Sequence, residues 1–239
     1  LWDPSKHKGG DKFSGWEEFS RIGVWNSDLY PYRKRWGNMK TKTKKFEFYS
    51  ETLKAALEKH AEKHSVTVDK VMEATNYLAR GEQAFIPHFE EPFILGDESE
   101  DPFVHVDHKS RLNREGRSAN CAWYYDFKDI DPGDEAWDDV VKINPVDAAK
   151  IGIKSKDRVK VSSPTGSLTC NAKLWEGVRP GTIAKCYGQG HWAYGRLASK
   201  KFGKIPRGGS SNDIIPAQYE ALSGSSAYYG VVRVKIEKL

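Results

Sequence analysis

Cysteine is scarce in this sequence and poorly placed for chemistry. The 239 residues hold three, Cys121, Cys170 and Cys186, an odd number without the short spacings of metal sites. No disulfide framework is implied, and Cys170 and Cys186, each inside an alternating apolar pattern, read as small core residues. Cys121 has neither an acidic nor a histidine neighbour in sequence, which argues against a nucleophile. Long apolar runs are lacking too: none approaches the roughly 18 to 20 residues of a membrane span, so direct membrane insertion is not expected. Leu1 to Gly10 has neither a signal-peptide core nor an initiating Met, and the chain is expected to be a fragment. Charge of one sign is barely in excess, 38 basic against 33 acidic residues for a net +5. With Phe202 the lone aromatic in the basic cluster Arg196–Arg207, no nucleic-acid partner is expected. That cluster is either a solvated face or an attraction for a phosphate-bearing ligand.

Aromatics and turn residues fill the first fifty positions, where Trp2, Trp16, Trp25, Tyr30, Tyr32 and Trp36 alternate with Asn26, Pro31 and Gly37. Such a segment standing alone would expose large apolar faces, so it reads as irregular structure packed on something larger. Ser50 is a good N-cap for a helix on which Leu53, Ala56, Leu57, His60, Ala61 and His64 share a face. A second helix is expected from Val68 to Ala79 with Gly81 as its stop. His60 and His64 lack the adjacent Glu of a zinc-protease motif and read as the edge of a helix interface. Pro87, Pro92, Pro102 and the acidic run Asp97 to Asp101 mark an exposed connection, dividing the chain into 1–101 and 102–239.

Beyond it the pattern turns to strands. Phe103 to Val106 opens the series and Asp129 to Asp139 reads as an acidic loop. Asn144 as N-cap, Pro145 at the first helical position, Asp147 in the first turn and Gly152 at the end define a two-turn helix. Val159 and Val161, then Leu168, Cys170, Ala172 and Leu174, alternate with polar residues about the turn Pro164 to Gly166, which predicts a hairpin with one buried face. Thr182 to Tyr187 and the alternation Val232, Val234, Ile236 complete the set. The expected fold is mainly β with flanking helices, a compact barrel with ligand-binding loops at one end. Two of those loops, Arg117 to Trp123 and the excursion from Gly188 to Asp213, combine glycines, hydroxyls, amides and isolated aromatics. Glycine lets backbone approach a flat ligand and the amides pair its edges, which suggests a cofactor cradle.

The succession Ile143 to Ile153, Asp157 to Ser163, Pro164 to Gly166, Gly177 to Gly181, the His191–Trp192 pair and Gly208 to Asp213 resembles the C-terminal molybdopterin-dinucleotide-binding domain of the dimethyl-sulfoxide-reductase family. That resemblance implies a double-psi β-barrel preceded by an irregular and helical segment. Arg117, Ser118, Ala119 and Asn120 with Trp123, and Ser223 with Gly224, look closest to the arsenate, polysulfide and thiosulfate reductase branch, and phenylacetyl-CoA oxidoreductases are similar. Residues 54–84 look like a helical insertion relative to that family. The implied cofactor is molybdenum or tungsten bis(molybdopterin guanine dinucleotide). Cofactor contact falls on Arg117, Ser118, Asn120, His191, Trp192, Ser211, Asn212, Asp213 and Tyr229, and no residue matches the family's metal ligand. Five of these have a plainer alternative: turn capping for Asn120 and Asn212, a surface ion pair for Arg117, as for the neighbouring candidate Arg207, and packing for His191 and Trp192. The resemblance places the metal ligand and an iron–sulfur cluster in an N-terminal remainder of the catalytic subunit. A further implied partner is an iron–sulfur electron-transfer subunit. For this branch the resemblance also implies frequent work outside the cytoplasmic membrane. On this reading the segment is an oxidoreductase part, inactive alone. The competing reading is a freestanding double-psi barrel serving as an accessory or interaction module, which would need an exposed apolar patch rather than polar loops.

Overall fold

A computed structural model describes residues 13–24, 39–91, 93–113, 115–191, 195–219, 222, 224–225 and 232–239. The chain forms two compact units, Leu1–Asp69 with Ala79–His88, and Lys70–Leu78 with Phe89–Leu239.

In the first unit, helix α1 (Trp16–Ile22) carries Glu17 and Glu18 in its first turn and stops at Gly23, whose φ of 77° is left-handed. Helix α2 (Glu51–Lys63) starts as the sequence requires, with the Ser50 hydroxyl accepting from the Leu53 amide at 3.2 Å. Leu57 and Ala61 are its buried face. Lys54 and Tyr49 both reach Glu82, at 2.9 and 2.5 Å, tying the helix to the 3-10 turn Gly81–Phe85. His60 and His64 are exposed, with ring centroids 4.4 Å apart and the rings tilted 38° to each other.

Helix α3 is shorter than its apolar pattern predicts and ends at Ala74 (Val68–Ala74). The Thr75 hydroxyl bonds back to the Val71 and Met72 carbonyls, and Asn76 turns left-handed at φ 57°. The Tyr77 amide then returns to the Met72 carbonyl at 2.9 Å, so Asn76 stops the helix where Gly81 was expected to.

The second unit is built on a closed six-stranded barrel, order β1-β5-β2-β4-β3-β8. Its strands are β1 (Phe103–His108), β2 (Val140–Ile143), β3 (Arg158–Ser162), β4 (Ser167–Leu174), β5 (Thr182–Cys186) and β8 (Arg233–Lys238). The pairs β1–β5 and β2–β4 are parallel, and the four joins between them are antiparallel. Two-residue strands β6 (Ser199–Lys200) and β7 (Ile205–Pro206) form a separate ribbon within the long excursion before β8. This is the mainly-β barrel with flanking helices that the sequence led us to expect.

Period-two alternation fills the interior. Val159, Val161, Leu168, Cys170, Ala172, Ile183, Val234 and Ile236 belong to one buried cluster, with Val141 and Ile143 from β2. The hairpin β3–β4 closes on the expected turn, where the Ser163 amide donates to the Gly166 carbonyl at 2.9 Å. Helix α4 (Ala122–Asp126) follows the first polar loop and α5 (Pro145–Lys150) follows β2. Asn144 does more than cap α5: its Oδ1 accepts from the Val146 amide at 2.9 Å and its Nδ2 donates to the Val178 carbonyl at 2.8 Å. Residues 89–101 are tied to the barrel, since the Arg233 amide donates to the Leu95 carbonyl and Arg233 pairs with Glu98, both at 2.7 Å.

Asp129 to Asp139 is the acidic loop the sequence predicts, with a 3-10 turn at its start, and much of its charge is buried. Asp131, Asp134 and Asp139 are buried, because Arg111, Lys142, Lys128 and Lys185 supply opposite charge to them.

Candidate functional site

Strands β1 and β5 run parallel and end side by side, His108 opposite Cys186, with the Tyr187 amide donating to the His108 carbonyl at 3.2 Å. The segments that leave them therefore meet at one rim of the barrel. Asn113 joins the two: its Nδ2 donates to the Tyr187 carbonyl at 3.2 Å and its Oδ1 accepts from the Ser118 amide at 3.3 Å. Glycine is obligatory at the crossing points. A Cβ on Gly188 (φ 84°) would stand 2.8 Å from the Gly116 Cα, and one on Gly190 (φ 79°) 2.3 Å from the Ser210 amide nitrogen. Between these backbones opens a cleft of about 450 Å³, walled by Asp107, Glu115, Gln189, His191, Ser211 and Asn212.

Two of the lining residues carry buried polar atoms. The Gln189 side-chain carbonyl and the Ser211 hydroxyl are buried, on residues 3% and 2% exposed, without a hydrogen-bond partner among the described residues. Orphaned buried polar atoms cost roughly 1–3 kcal/mol each, so these two stand out among the buried groups near the cleft. The other end of the Gln189 amide is engaged, its Nε2 donating to the buried Tyr124 hydroxyl at 3.1 Å.

Behind the cleft lies a buried charge network. Asp139 at the head of β2 accepts from Lys185 Nζ at 2.8 Å through Oδ1 and from the Gly209 amide at 2.9 Å through Oδ2, and Lys128 Nζ stands 3.9 Å away. A Cβ on Gly208 would sit 1.9 Å from that carboxylate, so the second glycine run is held close against Asp139. Burial opposes the charge on Lys185, but Asp139 outweighs it and raises the ammonium pKa. Asp134 is drawn toward protonation by burial, yet its contact with His108 and the charges of Lys128 and Lys142 hold its carboxyl below the ordinary value. His108, Asp134 and Cys186 gather in one place, but the Lys142 ammonium is already there, 2.9 Å from Asp134 and 3.1 Å from His108 Nε2. The cation of that cluster is the lysine.

The residues singled out from sequence fall in different settings. His191, Ser211 and Asn212 share the cleft. Asp213 lies on its outer side, along a neighbouring groove with Arg158 and Thr169, its carbonyl packed over Gly166. Ser118 is turned into the loop, its hydroxyl donating to the Leu112 carbonyl at 3.1 Å. Asn120 holds the excursion after β5, accepting from the Ala198 amide at 3.4 Å, and Arg117 is exposed on the 3-10 turn Arg117–Asn120. Trp192 and Tyr229 lie outside the described residues. Arg207, a candidate for diphosphate, instead donates to the Leu197 carbonyl at 2.8 Å and stacks 5.4 and 5.6 Å from the ring centres of Tyr125 and Trp137. Sequence reasoning missed Asp107, Glu115 and Gln189. A signal for the first was present: Phe103, His105 and Asp107 share the inward phase of β1, where a polar residue needs a reason.

Residues 127–232 match the family model described as "Molydopterin dinucleotide binding domain". The chain is 61% identical over its whole length to the arsenate respiratory reductase molybdopterin-containing subunit of Shewanella sp. strain ANA-3, covering 28% of that protein. It is 57% identical to the subunit of the same name from Chrysiogenes arsenatis, again over all of this chain and 29% of that one. With the matching tetrathionate reductase protein of Archaeoglobus fulgidus the identity is 34% over 69% of the chain and 13% of the relative. The chain thus spans under a third of the length of the curated relatives it matches. A domain model and relatives that align along every residue agree on one assignment, and the chain belongs to the molybdopterin-dinucleotide-binding region of the dimethyl-sulfoxide-reductase family.

Proposed function

We propose that this chain is the C-terminal part of the catalytic subunit of a respiratory arsenate reductase, and that residues 102–239 hold its pterin dinucleotide cofactor. The observation that carries the substrate is identity extending over the entire chain to two arsenate respiratory reductase proteins, against partial alignment with tetrathionate reductase. The cofactor is supported by the cleft itself. A flat, polar, many-edged ligand fits glycine backbones too close for side chains and a cleft lined by amide, hydroxyl, imidazole and carboxylate residues.

Gln189, Ser211, Asn212 and His191 are the residues to hold the pterin edge, with Arg117 and Asn120 on the adjoining turn and Trp192, Asp213 and Tyr229 as further contacts. When bound, a molybdenum or tungsten bis(pterin dinucleotide) supplies oxygen-atom and electron transfer. This chain's part is to bind, orient and exclude water around it. The remainder of the subunit provides the metal ligand, an iron–sulfur cluster and the substrate pocket, and an iron–sulfur electron-transfer subunit feeds it outside the cytoplasmic membrane.

The test is to purify the complete catalytic subunit from a host able to make the cofactor. Molybdenum or tungsten and pterin dinucleotide should be present, and oxidation of a reduced viologen should follow addition of arsenate and not tetrathionate. Absence of both metal and pterin rejects the cofactor reading, and tetrathionate turnover without arsenate turnover rejects the substrate.

A further inference from the structure

The last turn of α2 and its cap carry two histidines at a chelating interval, His60 and His64, one helical turn apart on the same side. The backbone between them is locked. The His64 amide donates to the His60 carbonyl at 3.2 Å, the Ser65 amide to the Glu62 carbonyl at 3.1 Å and the Val66 amide to the Ala61 carbonyl at 3.0 Å, with Ser65 left-handed at φ 54°. These bonds close the helix end in the Schellman pattern, so only side-chain torsions remain free at the two histidines. Both rings are exposed, and neither has a hydrogen-bond or ion-pair partner among the described residues. A zinc-protease motif needs a Glu beside its first histidine, whereas a plain chelate needs only the interval.

With metal–nitrogen bonds of about 2.0–2.1 Å and each nitrogen about 1.1 Å from its ring centre, two imidazoles at right angles on one ion have centres about 4.5 Å apart. A tetrahedral ion spreads them to about 5.2 Å. The observed 4.4 Å fits the right-angled pair, the arrangement of a tetragonal ion rather than of tetrahedral zinc. The C-terminal end of a helix also carries partial negative charge, which favours a cation held there. We infer that His60 and His64 form a surface site for a divalent transition ion of tetragonal preference, of the nickel and copper class, bound by two imidazole nitrogens. Among the described residues no third histidine, cysteine or carboxylate joins them, so the other positions of the ion are left to water. The pair lies in the first unit, and the site stands whether or not the cleft in the second unit holds a pterin.

The complete catalytic subunit, purified without a histidine tag and freed of loosely held metal by a chelator, is titrated with Ni²⁺ by calorimetry. The wild type should bind one more ion than either His60→Gln or His64→Gln. In each variant affinity at this site falls about tenfold or more, because the second imidazole otherwise closes on the ion as an intramolecular step. Lys59→His combined with His64→Gln keeps the number of histidines but sets them about 100° apart around the helix, and it should bind as weakly as His64→Gln alone. All of these positions are exposed, and circular dichroism of each variant should match the wild type. Cu²⁺ bound in place of Ni²⁺ should give a tetragonal electron paramagnetic resonance spectrum with coupling to two nitrogens. A wild type that binds no more Ni²⁺ than the single variants, or a Lys59→His, His64→Gln protein that binds as tightly as the wild type, overturns the inference. Zn²⁺ held more tightly than Ni²⁺ overturns the right-angled geometry.

Discussion

Asp139 bears on both halves of the second unit, because one carboxylate oxygen is in the charge network and the other holds the loop that carries Ser210 and Ser211. Asp139→Ala would strand Lys185 in a site where it is 1% exposed, and breaking a buried pair from one side costs about 3–5 kcal/mol. Asp139→Asn should lose less, since its amide oxygen still accepts from Gly209. Denaturant midpoints of the two variants should fall in that order, and equal midpoints would mean the Gly209 contact contributes nothing. Asp134 gives a pH test. Its folded pKa is below the unfolded one, so its stabilising contribution is present above about 3.8 and lost as pH falls through the depressed value. Asp134→Asn should be less stable near neutrality and flatter in stability below pH 4, as measured by denaturation across that range. None of this network was legible as such, since charged residues near Pro132 and Gly133 have the composition of a solvated turn. Lys185 left a trace, standing two residues after Ile183 in the inward phase of β5.

At the level of elements, legibility followed periodicity. The β3–β4 hairpin and α5 could be read because alternation, turn residues and the cap Asn144 all agreed on one local answer. The ribbon β6–β7 could not, because two residues per strand carry no period. Asn144→Ala should lower stability by about 1–2 kcal/mol, more than an isolated cap, because it also leaves the Val178 carbonyl unpaired. Loop geometry gives a sharper test of function. Gly190→Ala puts a methyl 2.3 Å from the Ser210 nitrogen at a φ of 79°, so the two cleft walls must separate. The complete subunit with this change should keep its circular dichroism and lose most of its pterin dinucleotide. Full retention would show that the crossing of these loops does not shape the site.

For the whole molecule, the sequence conveyed fold class and family more readily than the site. The barrel follows from patterns repeated along the chain, whereas the cleft joins Asp107, Gln189 and Ser211, which no local window contains. Trp123, Phe127 and Ile130 recur at helical spacing along α4 and the next turn, each at least half exposed, at 50%, 59% and 54%. A stripe of that kind is normally covered. Compared mole for mole, the 239-residue chain alone should therefore enhance the fluorescence of a hydrophobic dye more than the complete subunit does. Equal enhancement would mean the stripe stays open in the larger protein.

Strand β8 pairs with both β1 and β3, so residues 233–238 are what turns an open sheet into a closed one. Without them β1 would keep β5 as a neighbour and lose the other, and the barrel would have two open edges, β1 and β3. A ligand that binds the rim where β1 ends beside β5 only when the barrel is closed would stabilise the closure that β8 makes.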